Sequence, residues 1–342
     1  MKLTFVDLFA GVGMARMGME QAGFKCVYTC EFDKQKRKEY EIIHGNIPEG
    51  CDIRDVRAAD IPRADVWFFG APCQDFSIAG LRKGLYGDRS SLVGEVFRLI
   101  EEKAEDKPEW LIYENVKGML SSNGGWDFIS ILIEMDGLGY DVEWQTLNTK
   151  DFGLPQNRER VYTIGHLRKY SFKQILPITS TDGKDSNTKI NIIGSTDPGK
   201  KIQQRKYIYG DDGLMGCLTA TDYKEPKIVQ IGRMKSNREN PNQYRVYGTD
   251  GLSPCLNTAQ GGGREPHVLV ENDKKYGEEY IIRKLTPKEC MRLQGVPDEY
   301  TDKLIQAGIS DSQIYKAAGD GLTVPIAKEI GERIRKTYEE NN

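Results

Sequence analysis

No stretch of the 342-residue chain approaches the roughly 18 consecutive apolar residues that a membrane helix needs. The opening residues Met1-Lys2-Leu3-Thr4 lack the layout of a secretory signal. Cysteine is sparse: seven residues, at positions 26, 30, 51, 73, 217, 255 and 290, with no Cys-x-x-Cys pair. That spacing argues against a zinc cluster and against a disulfide framework. Only three histidines occur, His44, His166 and His267, and they are scattered. Chemistry built on a histidine base or a histidine-held metal has little to rest on, and no metal is expected. The expectation is a soluble, intracellular protein.

Charge is nearly balanced, with 48 Lys and Arg against 51 Asp and Glu. The balance is uneven along the chain, because residues 168–284 carry 20 basic against 14 acidic side chains. Such a segment suits a polyanionic partner without requiring one, and ordinary scatter explains it equally well. The length allows one large domain or two of ordinary size.

The first 165 residues alternate short apolar runs with amphipathic stretches, the pattern of a parallel sheet with crossover helices. Strands are expected at Leu3–Leu8, Lys25–Cys30, Val66–Gly70, Leu111–Glu114, Val142–Leu147 and Val161–Gly165, and helices at 13–22, 33–43, 90–104 and 126–138. The segment 166–282 is rich in Gly, Asn, Asp, Thr and Tyr and reads as a small irregular β domain. Helical signals return at Thr286-Pro287-Lys288-Glu289, which spell a capping box with proline at the first helical position. A final amphipathic run from Pro325 to about Tyr338 suggests helices that pack back on the first domain. The domains expected are 1–167, 168–282 and 283–342.

The middle segment holds a repeat. Tyr209-Gly210-Asp211-Asp212-Gly213-Leu214 with Cys217-Leu218 recurs as Tyr247-Gly248-Thr249-Asp250-Gly251-Leu252 with Cys255-Leu256. Asp-Gly between β-like runs reads as a tight hairpin turn. A duplicated structural hairpin and a pair of loops facing one ligand both fit.

Four short motifs carry chemistry. Asp7-Leu8-Phe9-Ala10-Gly11-Val12-Gly13 follows a strand and opens a helix, and Glu31 ends the next strand. Glycines there admit a ligand close to the backbone, and the acidic residue suits ribose hydroxyls. A nucleoside-containing cofactor and a plain strand–helix turn both fit this motif alone. Gly70-Ala71-Pro72-Cys73-Gln74 lies at the end of another strand, where ligands bind in such sheets. Cys73 there is either a thiolate nucleophile or a small buried hydrophobe. The polar, glycine-rich run after it, with Gly80, Gly84 and Gly87, reads as a mobile lid. Tyr113-Glu114-Asn115-Val116 offers a carboxylate at the sheet edge, suited to general acid work, to a ring nitrogen or to a simple salt bridge. Gln156-Asn157-Arg158-Glu159-Arg160 puts two arginines on one face of an extended chain, fit to grip a phosphate, a carboxylate or the oxygens of a base.

In this order and at these spacings, the motifs resemble the C5-cytosine-specific DNA methyltransferase family of bacterial or phage type. The similar segments are Asp7–Gly13, Gly70–Gln74, Glu114–Val116, Gln156–Arg160, Arg283–Gly295 and Gln313–Pro325. The resemblance implies an α/β protein. Its catalytic domain would be a Rossmann-like S-adenosylmethionine-dependent methyltransferase fold with a mixed, mainly parallel sheet, and a smaller irregular β-rich recognition domain would accompany it. The activity implied is methyl transfer from S-adenosylmethionine to C5 of a cytosine flipped out of duplex DNA. Cys73 would add to C6, Glu114 would hydrogen-bond N3 and the exocyclic amine, Arg160 would contact O2, and Arg158 would help organise Cys73 and the flipped nucleotide.

Cofactor roles carry over likewise. Phe9, Gly11 and Gly13 resemble the loop around the methionine part. Glu31 would take the ribose, Phe32 the adenine face, Asp52 and Ile53 the adenine edge, and Pro72 the sulfonium side. DNA contacts would fall to Gln74, Ser77 and Arg89 in and beside the lid, and to Asn242, Gln243, Arg245, Gly261, Gly262, Gly263 and Arg264 in the recognition loops. The partners implied are double-stranded DNA and a cognate restriction endonuclease acting on the same site, for a monomeric, cytoplasmic enzyme. Two positions depart from the family pattern. Cys255 stands where relatives often have Thr, and no contact is assigned to it. Asp320 stands where many have Asn and is expected to buttress the Cys73 loop through different hydrogen bonds. A tRNA cytosine methyltransferase and a catalytically inactive DNA-binding relative are the alternatives. The first lacks its usual Cys-Phe-Thr signature here, and the intact Cys73, Glu114 and arginine pair argue against the second. A nicotinamide oxidoreductase would leave Pro-Cys-Gln unexplained.

Overall fold

The structure is a computed structural model that describes residues 3–71, 91–170, 173–179, 192–195, 207–209, 230–233, 245–247, 255–256, 267–271 and 280–341. Six strands form the main sheet: β1 Thr4–Leu8, β2 Lys25–Cys30, β3 Val66–Phe69, β4 Trp110–Val116, β5 Tyr140–Asn148 and β6 Glu159–Leu167. Their order across the sheet is β2-β1-β3-β4-β6-β5. The first four pair in parallel, whereas β6 runs antiparallel to both β4 and β5. The reason is the connection. Only residues 149–158 join β5 to β6, too little chain for the crossover that a parallel pair requires.

Helices α1 Met14–Gln21, α2 Lys34–His44, α3 Leu92–Glu102 and α4 Trp126–Gly137 lie between these strands. Local chemistry sets their ends. The Asp33 carboxylate accepts from Gln35 N and Lys36 N to start α2, and Gly45 at φ 79° stops it. Ser91 caps Gly94 N at the start of α3. Four helices close the chain: α5 Pro287–Arg292, α6 Asp298–Gln306, α7 Asp311–Asp320 and α8 Val324–Asn341. The capping box read at Thr286 is present in both directions.

Strand side chains alternate between two cores. Val6, Leu8, Trp67, Phe69, Leu111 and Tyr113 face α3 and α4. Phe5, Val66, Phe68, Trp110, Ile112, Tyr162 and Ile164 face α1 and α8. This is the period of two that a sheet covered on both faces imposes. Helix α8 packs closely on α1, since a Cβ on Gly18 would sit 2.6 Å from Ala327 Cβ and one on Gly331 2.7 Å from Ala22 Cβ. Residues 173–179 also join this body. Ile175 and Ile178 are buried in the α1–α8 core, and Glu143 and Gln145 on β5 accept the backbone N–H groups of Ile175, Leu176 and Ile178.

A separate four-stranded sheet has the order β12-β11-β10-β9, built from β9 Gln230–Arg233, β10 Arg245–Tyr247, β11 His267–Glu271 and β12 Tyr280–Lys284. Strands β7 Ile192–Ser195 and β8 Tyr207–Tyr209 pair with each other. Strands β10 and β11, which flank the second copy of the sequence repeat, run parallel. The Asp250-Gly251 turn therefore does not close a hairpin between them, and the turn residues themselves lie outside the described residues, as do those of the first copy. Parallel strands need a long connection, and residues 248–266 supply it.

Candidate active site

The strand order reverses around β1, with β2 on one side and β3 on the other. Ligands in such sheets bind at the carboxyl ends of the strands beside that reversal. The loop after β1 is unusual there, because three of its five residues have positive φ: Phe9 at 60°, Gly11 at 58° and Gly13 at 83°. For Phe9 this is a strained conformation that the neighbouring structure must impose. A Cβ on Gly11 would meet nothing within 4 Å, so this glycine faces open space. Its N–H donates to Glu31 Oε2 at 2.7 Å, and Glu31 Oε1 accepts from Asp33 N at 2.8 Å.

Glu31 is thus buried and fixed at the end of β2, with Phe32 next to it 65% exposed. A parallel bridge from Cys30 to Gly50 brings Asp52 and Ile53 alongside. The Asp52 carboxylate is held by Arg54, which keeps it below the ordinary carboxylate range. The Ile53 side chain is buried in the α3–α4 core, which leaves its backbone to meet a ligand. The structure therefore brings Phe9, Gly11, Glu31, Phe32 and the Asp52–Ile53 segment to one edge of the sheet. The set fits an adenosine-bearing cofactor. Gly11 leaves room, each Glu31 oxygen accepts one N–H and retains a lone pair for a hydroxyl, and Phe32 offers a bare ring.

Two strands over, β3 ends at Phe69 and leads into Gly70 and Ala71. Pro72, Cys73, Gln74, Ser77 and Arg89 lie outside the described residues, as do Asn242, Gln243, Gly261, Gly262, Gly263 and Arg264. Arg245 begins β10. The approach to Cys73 is nonetheless defined. Asn115 Nδ2 donates to Ala71 O at 3.1 Å and contacts Tyr113 Oη at 2.6 Å. The asparagine of Glu-Asn-Val therefore ties the end of β4 to the chain two residues before Cys73. This role was open to reading in the motif itself, since Asn115 neighbours Glu114. A Cβ on Gly70 would lie 3.3 Å from Glu114 Oε2, a tight contact, so the carboxylate lies directly over this glycine at the sheet edge.

Glu114 stands opposite Tyr162 on β6, and Arg160 opposite Val116. Arg160 Nε lies 3.3 Å from Glu114 Oε1, and each side chain is only 15% exposed. Burial raises the Glu114 carboxyl above its ordinary range, and the charges of Arg160 and Arg158 oppose the rise without cancelling it. A carboxyl so placed holds a proton more readily than one in water.

Arg158 behaves differently from Arg160, though two residues away. It is 2% exposed. Its Nη2 donates to Gly321 O at 2.5 Å and Gly319 O at 3.2 Å, while Nη1 reaches Cys255 Sγ at 3.3 Å and Leu256 O at 3.4 Å. Carbonyls at the end of α7 lack helical partners, and a guanidinium satisfies them with favourable charge. Cys255, assigned no contact from the sequence, thus touches Arg158. Asp320 pairs with Lys36 Nζ at 2.9 Å on α2, so among the described residues its carboxylate supports the helix behind Glu31.

Comparison with known proteins agrees with this geometry. Residues 3–336 match the family model for C-5 cytosine-specific DNA methylase. The chain is 34% identical over 343 residues to the type II methyltransferase M.Bsp6I of Bacillus sp. (strain RFL6), covering 98% of this chain and 99% of that one. It is 33% identical to the type II methyltransferase M.HaeII of Haemophilus aegyptius, covering 95% and 90%. Among solved structures, the Dnmt2 methyltransferase of S. pombe superposes with a TM-score of 0.64 at 17% identity over 99% of each chain, a likeness of fold. The chain belongs to the C-5 cytosine-specific DNA methylase family, on a Rossmann-like methyltransferase fold.

Proposed function

We propose that the chain is a site-specific DNA methyltransferase that moves a methyl group from S-adenosylmethionine to C5 of a cytosine swung out of the duplex, through a transient bond between Cys73 Sγ and C6. The observation that carries this reading is the partly buried Glu114–Arg160 pair beside Gly70, three residues before Cys73.

C5 of cytosine is a poor nucleophile. Addition of the Cys73 thiolate to C6 moves the C5–C6 π electrons toward C5 and builds charge on the ring. Glu114, whose burial eases protonation, would donate to N3 and accept from the exocyclic amine, so that it stabilises the charge as it forms. Arg160 holds the carboxyl in place and presents its positive charge toward O2. Bound at the edge formed by Phe9, Gly11, Glu31, Phe32 and Asp52–Ile53, S-adenosylmethionine supplies an activated methyl on its sulfonium. C5 accepts the methyl, loses its proton to a base, and Sγ leaves with restoration of the C5–C6 double bond. Extruding the base costs a few kcal/mol, which lid residues 75–92 would offset by closing and filling the gap in the stack.

The segment 168–282 would read the target site, with Arg245, Asn242, Gln243, Arg264 and the Gly261–Gly263 run as its DNA contacts. The relatives are named type II methyltransferases, which supports a cognate restriction endonuclease acting on the same site. Among the described residues no helix is long and apolar enough to cross a membrane. We infer a monomeric enzyme acting on DNA in the cytoplasm.

The test is transfer of tritiated methyl to cytosine-containing duplex, with bisulfite sequencing to locate the site. Cys73→Ser is expected to abolish transfer and leave duplex binding largely intact. A duplex with 5-fluorocytosine at the target is expected to trap a covalent complex, because fluorine cannot leave as a proton does. Normal turnover by the serine variant, or methylation with no trapped adduct, would refute the covalent route.

A further inference from the structure

The cofactor loop is clasped from behind by the two ends of one helix. Ahead of α2, Glu31 accepts the N–H of Gly11. At its last residue, His44 Nε2 lies 3.2 Å from Val12 O. A carbonyl only accepts, so Nε2 must carry the hydrogen. The Val12–Gly13 peptide is then held at both poles, since its N–H donates to Ala10 O at 2.8 Å. The imidazole also fills the space behind the loop. A Cβ on Gly13 would overlap the His44 ring and lie 2.9 Å from Tyr40 Cε2. The Tyr40 ring packs against it at a tilt, 4.4 Å between centroids, and Tyr300 of α6 flanks it at 6.0 Å. The two loop glycines therefore face opposite ways: Gly11 toward open space and Gly13 into His44.

We propose that His44 is a positioning residue for cofactor binding: its Nε2–H orients the Val12–Gly13 peptide, and so fixes the left-handed conformation that turns Gly11 toward the ligand. The inference rests on the reading of loop 9–13 as the cofactor site. The ring stays neutral in this role, because burial and the nearby Arg16 charge hold its pKa down to about 3. A neutral ring with Nε2 protonated donates one hydrogen bond and keeps Nδ1 unprotonated.

The experiment measures the affinity of the full chain for S-adenosylhomocysteine by calorimetry, together with melting temperature. His44→Phe keeps a flat ring and loses the donor, whereas His44→Gln keeps an N–H donor. The expected result is affinity about tenfold weaker in the phenylalanine variant and within about twofold of wild type in the glutamine variant, with kcat at saturating cofactor little changed in both. Equal affinity in wild type and His44→Phe would overturn the proposal, as would equal losses in both variants. Failure of the wild-type chain to bind S-adenosylhomocysteine would overturn the cofactor reading itself, and the inference with it. If the phenylalanine variant does not fold, nitrogen NMR of histidine-labelled wild type decides. His44 is expected as the neutral Nε2–H tautomer from pH 5 to 8, and an Nδ1–H tautomer would overturn the proposal.

Discussion

The two edges of the candidate site differ in how fully their polar groups are paired. At the end of β1 and β2, most polar groups of the loop are paired: Gly11 N–H on Glu31, Asp33 N–H on Glu31, Val12 O on His44 and Asp52 on Arg54, while Asp7 Oδ2 is buried without a hydrogen-bond partner among the described residues. At the end of β4 and β6, several are not. Glu114 is largely shielded, with a raised pKa, and the Gln156 amide, Arg158 Nε and Tyr162 Oη are buried without a hydrogen-bond partner among the described residues. Unpaired buried polar atoms cost stability and persist where another group or ordered water completes them. The contrast is one of degree: the loop after β1 pairs most of its polar groups within the chain, while the β4–β6 end leaves more of them unpaired among the described residues.

The largest effect that would sharpen this contrast is expected at Glu114. Glu114→Gln removes the proton that the carboxyl shares with N3 and should lower kcat by about 100-fold or more, with melting temperature nearly unchanged. Because burial raises the Glu114 pKa, the protonated form persists to higher pH than for an ordinary carboxyl and is lost above it. The wild-type rate should fall on that alkaline side, and the glutamine variant should lack that limb. A rate for Glu114→Gln near wild type would remove the carboxyl from the chemistry.

Arg158→Ala should act mainly on stability. It leaves carbonyls of Gly319, Gly321 and Leu256 short of a donor, at a cost of about 3 kcal/mol in urea unfolding. Arg160→Ala should instead reduce turnover more than stability, since Arg160 serves Glu114 rather than α7. Equal profiles for the two variants would erase the division between the arginines.

At the cofactor edge the paired glycines give a smaller split. Gly13→Ala forces the His44 ring aside and strains a left-handed residue, for about 2 kcal/mol of lost stability. Gly11→Ala carries only the conformational part, about 1 kcal/mol, and should weaken cofactor binding out of proportion to it. Thermal melts and cofactor titrations on both variants check this.

A pH-dependent effect concerns Asp7, which is buried beneath the cofactor loop with its pKa pushed up to about 8, chiefly by desolvation. Unfolded, this carboxyl gives up its proton near pH 4, whereas folded it keeps it to about 8. The folded state therefore binds the extra proton across that window. Stability from this group is present at low pH and is lost as pH rises, by at most about 1.4 kcal/mol per pH unit. Asp7→Asn should flatten that slope in urea melts between pH 5 and 8. An unchanged slope would show that the Asp7 carboxyl does not titrate there.

Much of the fold was legible because local signals are strong. Asp33 and Gly45 bracket α2, so the helix expected at 33–43 is observed at Lys34–His44. Thr286 and Glu289 announce α5. The strands stand out because each is a short apolar run between turns. The direction of β6 was less legible, for its apolar pattern is the same whichever way it runs. Residues 173–179 carry few local signals, yet two isoleucines seat them against β5 and α8. In the site, Gly13 reads as room for a ligand, whereas the structure fills that room with His44. The sequence pairs Arg158 with Arg160, yet their partners lie far apart in the chain: Gly321 for one and Glu114 for the other.

The chemistry available to the protein follows from its sequence alone. A cysteine after a strand, a carboxylate at a sheet edge and glycines in a strand–helix turn are properties of residue type and near spacing. Tertiary structure alone decided which of these groups are paired and which are not. Burial, charge and hydrogen-bond partners for Glu114, Arg158 and His44 come from segments tens to more than a hundred residues away, and only folding brings those segments within reach.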